Sequence, residues 1–124
     1  MGFLIVFLGG GLGAALRHGV NLVGARLLGM GFNYATMFEN VSGSFVMGLL
    51  VAYFAFKGDL SQHWRLFLTT GILGGYTTFS AFSLDTILLY ERGELGLAAL
   101  YAVLSVVLSV GGLMAGLALV RYFS

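Results

Sequence analysis

Gly71-Ile-Leu-Gly74-Gly75-Tyr-Thr77-Thr78-Phe79-Ser80-Ala81-Phe82-Ser83 lies in a strongly apolar region, yet it does not read as ordinary helix. Each glycine weakens a helix by about 1 kcal/mol relative to alanine. Four hydroxyls and two phenyl rings follow the glycines. In hydrocarbon no water satisfies unwound backbone, so a broken helix survives at membrane depth only where it is buried in protein or lines a wet cavity. The spacing predicts a break at about 74–78. Two readings of it stand: a glycine kink packed tightly on a neighbour, and an element that binds or passes an ion.

Working outward, the whole chain is apolar. Of 124 residues, 59% are hydrophobic and 9% charged, and mean hydropathy is +0.98, where a soluble domain carries about 25% charge. At about 20 residues per span, the length holds four membrane helices and little else. One domain over 1–124 is expected, with spans at about 3–26, 34–56, 64–90 and 95–122. The first segment, which carries Arg17, reads as a retained helix and not a cleaved signal. A net charge of +1 provides no basic field for nucleic acid. Without cysteine there are no thiolate ligands or thiol nucleophiles. Neither a metalloprotease His pair nor a phosphate loop is present, and the Gly9–Gly13 run lies inside a span. Enzyme chemistry is not expected.

Each span carries its own polar signal. In the first, Gly9/Gly13 and Gly10/Ala14 are small-residue pairs that let another backbone approach; Arg17 follows, either snorkelling to the interface or neutralised inside the bundle, with the nearby helix end favouring the first. In the second, Thr36, Asn40, Ser44 and Gly48 share a face at four-residue steps. Glu39 stands beside Asn40, and an intramembrane carboxylate is a functional candidate by default; its place near the helix start predicts a hydrated mouth. In the third, Phe79, Phe82 and Ser83 share a face beyond the break. In the fourth, Tyr101, Ser105 and Ser109 are in register. Turns are expected at 27–33 and 57–63. Lys57, Arg65 and Arg121 flank the spans on one side and Arg26 and Arg92 on the other, too even a balance to fix one orientation. An antiparallel homodimer, with any pathway present twice, fits that balance.

Amide and hydroxyl groups donate hydrogen bonds, and phenyl edges are electropositive. Together they offer a small anion partial positive charge without trapping it, which conduction requires. Carbonyls freed at a break near Gly74–Thr77 present negative ends suited to a small cation.

At this point the chain resembles the Fluc (CrcB) fluoride channel family over essentially its whole length. The likeness rests on Gly10-Gly11-x-Gly13-Ala14-x-x-Arg17, on Thr36-x-x-x-Asn40-Val41-x-Gly43-Ser44-Phe45, and above all on Gly71-x-x-Gly74-Gly75-x-Thr77-Thr78-Phe79-Ser80-x-Phe82-Ser83. The resemblance implies a dual-topology, antiparallel dimer in a bacterial inner membrane that passively exports fluoride. It assigns the pathway to Asn40, Phe79 and Phe82, with Thr36, Ser80 and Ser83 as a hydroxyl track and Ser105 and Ser109 matching less distinctively. It also implies a structural Na⁺ that is not transported, held by the carbonyls of Gly74 and Thr77, and gives Arg17 a structural or vestibular place. Two positions depart from the family pattern. Ala81 stands where threonine is usual, and Glu39 replaces an apolar residue; a carboxylate on the pathway would repel fluoride, so Glu39 is expected to face a vestibule or a partner group. On the residues alone, two rivals stay open: a proton-coupled cation exporter that uses Glu39, and a packing-only membrane subunit.

Overall fold

The computed structural model describes residues 1–29, 33–57 and 61–123. Its elements are α1 (Gly2–Leu28), α2 (Tyr34–Lys57), α3 (Gln62–Leu66), a π-helical segment (Phe67–Leu73), α4 (Gly74–Tyr76), α5 (Phe79–Glu91) and α6 (Leu95–Phe123). The elements from Gln62 to Glu91 follow one path of 30 residues, so among the described residues four helices are long and apolar enough to cross a membrane. The second coincides with the span expected from sequence, and the other three run slightly beyond theirs. Parts of the expected turns at 27–33 and 57–63, including Asp59, lie outside the described residues.

Local chemistry sets the ends. Asn33 Oδ1 accepts from the Thr36 N–H at 3.3 Å and opens α2, while Ser61 Oγ accepts from Trp64 N–H at 3.4 Å and opens α3; a side-chain oxygen satisfies an orphan donor in each case. Gly93, at φ 81°, closes α5. Its N–H donates to Tyr90 and that of Glu94 to Leu89, both at 3.0 Å, the paired bonds of a left-handed helix stop.

The helices associate as two pairs, α1 with the π-helical segment and α4, and α2 with α6, while α5 leans on α6. Lipid tails are as apolar as leucine, so burial alone does not drive such pairing and close backbone contact matters more. The buried hydrophobic cluster is correspondingly small: Leu89, Ala98 and Tyr101, with Met37 and Phe82 against it. Glycines provide the closeness. A Cβ on Gly13 would stand 2.9 Å from Tyr76 N and collide with the Ile72 carbonyl. One on Gly75 would lie 3.0 Å from Gly10 Cα and collide with the Gly10 carbonyl. Backbone cannot swing aside as a side chain can. Gly75→Val is therefore expected to cost about 3 kcal/mol, read as a lower unfolding temperature in detergent. Gly11→Ala, where the added methyl meets open space, is expected to stay within about 0.5 kcal/mol.

Candidate functional site

Between α4 and α5 the backbone is extended at two residues, Thr77 (φ −87°, ψ 154°) and Thr78 (φ −151°, ψ 123°). The glycines expected to unwind the chain do not do so. Gly74 and Gly75 are helical, and Gly71 and Gly75 sit against α1. The extended pair is held from outside by Asn40 on α2. Its Nδ2 donates to the Thr78 carbonyl at 3.0 Å, and its Oδ1 accepts from the Thr78 N–H at 2.7 Å. One side-chain amide thus satisfies both backbone polar groups of a residue, Thr78, that left the helical ladder. Thr78 Oγ1 accepts from Ala81 N–H at 3.1 Å and caps α5.

These bonds redirect two donors. In continuous helix the N–H of Thr78 would serve the Gly74 carbonyl and that of Ala81 the Thr77 carbonyl. Both are spent elsewhere, which releases those carbonyls from their helical donors. Gly74 is exposed on the protomer. The Gly75 carbonyl, released likewise, accepts from Arg17 Nε at 3.1 Å. Arg17 therefore turns inward instead of snorkelling: a guanidinium in hydrocarbon gains more from a bare carbonyl within reach than from stretching to the interface.

Beside the extended pair lies a cleft of about 340 Å³, formed by Asn40 and Ser44 of α2, Thr77–Phe79 and Phe82, and Ser105 and Ser109 of α6. The Phe79 and Phe82 rings are tilted at 45° with centroids 5.3 Å apart, and Phe82 stacks on Tyr101 at 5.8 Å. Phe79 is 76% exposed on the protomer. The hydroxyl oxygens of Ser105 and Ser109 are buried without a hydrogen-bond partner, two donors in a position where buried polar groups are normally paired. Asn40, Phe79, Phe82, Ser105 and Ser109 are therefore brought together. Ser44 was legible as an i+4 neighbour of Asn40, but nothing in the sequence separated it from packing serines.

The rest of the expected hydroxyl track lies elsewhere. Thr36 is buried at 3% exposure and does not line this cleft. Ser80 Oγ pairs with Thr78 Oγ1 at 3.2 Å, and Ser83 Oγ donates to the Phe79 carbonyl at 3.0 Å. Both are occupied by their own chain, a common use of such residues in helices. Glu39 departs most from expectation. It is 0% exposed, and neither carboxylate oxygen has a hydrogen-bond partner. It lies in no hydrated mouth of the protomer, because α2 is already wound from Tyr34 and this turn faces protein.

Residues 4–117 match the family model described as CrcB-like protein, Camphor Resistance (CrcB). The chain belongs to this family. It is 65% identical over 124 residues, all of both chains, to "Fluoride-specific ion channel FluC 2" of Nitrobacter hamburgensis. It is 69% identical over 121 residues to "Fluoride-specific ion channel FluC" of Rhodopseudomonas palustris strain BisB5, covering 98% of each. A relative of that same name from Granulibacter bethesdensis is 60% identical over 121 residues. In this CrcB-like chain, the string that carries the likeness in the third span is the one that forms the extended pair and one wall of the cleft.

Proposed function

We propose that this protein is a fluoride-specific channel, a passive pore and not an enzyme, that lowers fluoride inside the cell. The observation that carries the reading is the cleft where Asn40, two phenyl rings and two unpartnered serine hydroxyls converge. Such a lining presents donors and ring edges without a full positive charge, so an anion is attracted yet leaves again. An inside-negative potential expels it by about 2.3 kcal/mol per 100 mV.

The working unit is an antiparallel homodimer in the bacterial inner membrane. Little of each span is buried within the protomer; Phe79 stands exposed at the cleft, and Gly74 stands exposed three residues before Thr77. A second copy would cover them, and the near-even Lys/Arg balance lets the two copies insert oppositely. By symmetry the cleft would then occur twice. The released carbonyls of Gly74 and Thr77, joined by the same pair from the second copy, are hard oxygen ligands suited to a structural Na⁺. When bound, that ion neutralises carbonyl dipoles that no N–H serves.

One observation favours a second reading. Glu39 is buried in the bundle, as a proton-exchanging carboxylate in a cation exporter would be. A single set of liposomes separates the two. With purified protein, fluoride efflux is expected to be fast and chloride efflux absent. Replacing Na⁺ by a large organic cation is expected to slow fluoride by at least about tenfold, and no proton counterflow should accompany it. Equal chloride and fluoride rates would overturn the channel reading, and cation-driven proton flux would establish the exporter.

A further inference from the structure

Glu39 stands one residue before Asn40 on α2, and neither of its carboxyl oxygens has a hydrogen-bond partner. It is fully buried within the protomer, so a second copy cannot reach it and this chain alone sets its surroundings. Against α2 pack α1, the π-helical segment, α4, α5 and α6. Arg17 of α1 attracts the Glu39 carboxylate, Asp85 of α5 repels it, and it acts in turn on Tyr101 of α6. All three are engaged with other groups. Arg17 Nε donates to the Gly75 carbonyl at 3.1 Å, and the Tyr101 hydroxyl donates to Asp85 Oδ2 at 2.9 Å. The Tyr76 hydroxyl of α4 bonds to that of Ser42 at 3.0 Å, and the π-helical segment has no titratable side chain. The other titratable side chains described on these helices are exposed. Residues 30–32 and 58–60, outside the described set, include no basic residue. Lys57 ends α2, roughly 27 Å further along its axis, too far to serve as a counter-ion.

An ionised Glu39 would be a buried charge with neither a hydrogen bond nor a direct ion pair, and carrying a proton costs less than that. We infer that Glu39 is held as a neutral carboxylic acid and governs passage through the adjoining cleft, which is open to an anion while the proton is present and closed once it is lost. Two contacts tie this acid to the cleft. Asn40, the next residue, lines it, and Tyr101 stacks on Phe82 of its wall at 5.8 Å. Release of the proton to water leaves a unit negative charge beside both, in an interior where charges repel strongly. Rising pH removes the proton, so flux falls as pH rises. The gating rests on the channel reading, whereas the proton on Glu39 does not.

The test uses the full chain and has two arms. Infrared difference spectra of the purified protein, titrated from mildly acidic to alkaline buffer, are expected to show the loss of a neutral-carboxyl C=O band. That band should be missing from both Glu39→Gln and Glu39→Met, so a folding defect in one variant does not spoil the assignment. In liposomes over the same range, fluoride efflux of the unchanged protein is expected to fall at least about tenfold. Glu39→Gln, whatever its absolute rate, should show no such step. A neutral-carboxyl band that persists in both variants, or a carboxylate at Glu39 already in mildly acidic buffer, would overturn the neutral acid. Flux indifferent to alkali, or the same step in Glu39→Gln, would overturn the gating. Absence of fluoride efflux at every pH would sink the channel reading and the gating with it, while the infrared band would still judge the proton on Glu39.

Discussion

Asn40→Asp is expected to reduce fluoride efflux on the order of a thousandfold in reconstituted liposomes read with a fluoride electrode. The substitution keeps size and shape but changes two things. The Nδ2–H donor to the Thr78 carbonyl disappears, leaving an acceptor unpaired beside the extended backbone. A carboxylate also enters a cleft that an anion must cross. Two unit charges about 4 Å apart repel by about 4 kcal/mol at an effective dielectric of 20, and about 1.4 kcal/mol is tenfold in rate. Repulsion therefore dominates the lost hydrogen bond, worth about 1 kcal/mol. Asn40→Ala separates the terms: without the added charge, its loss should be smaller in flux but accompanied by lower stability, since both polar groups of Thr78 lose their partner. If Asn40→Asp conducts like the unchanged protein while remaining folded, Asn40 is a structural clamp and the pathway runs elsewhere.

The four spans were legible because apolar runs of that length have one physical solution in a bilayer, and glycines and charges punctuated them. Helical spacing put Asn40, the Phe79/Phe82 pair and Ser105/Ser109 each on one face of its own helix, while their gathering at one site was implied by the resemblance to the family and not by spacing. What escaped was long-range. Helix propensity attributes unwinding to Gly71, Gly74 and Gly75, whereas the extended residues are two threonines. Their peptide is held by an amide 38 residues away in sequence, which no local rule contains. The glycines serve instead for close approach to α1, a role identical in sequence to helix breaking. Of the two places open to Arg17, position along the helix favoured the interface and the structure has the bundle, because its acceptor, the Gly75 carbonyl, is available only where the ladder stops after it. Glu39 marks the same boundary of inference. Position along a helix says how near the interface a residue lies, but not whether its turn faces water or protein.

Phe79 and Phe82 give the other large expected effect. Phe82→Ile should lower fluoride flux about tenfold, and Phe79→Ile/Phe82→Ile together about a hundredfold, with chloride still excluded. Isoleucine preserves apolar bulk, so a packing role predicts little change; volume-conserving swaps usually cost under about 1.5 kcal/mol of stability. It removes the ring quadrupole, however, and with it the electropositive edge. By analogy with cation–π contacts, reversed in sign, each desolvated ring edge contributes about 1–2 kcal/mol, which two rings convert to the quoted range. The rings differ in support. Phe82 is fixed by stacking on Tyr101 at 17°, whose hydroxyl donates to Asp85 at 2.9 Å, so its edge direction is set within the protomer. Phe79 touches Phe82 but is otherwise exposed and would take its final orientation from a second copy. A double isoleucine variant with undiminished fluoride flux would show that ring edges do not carry the anion, and the burden would pass to Asn40 and the serines.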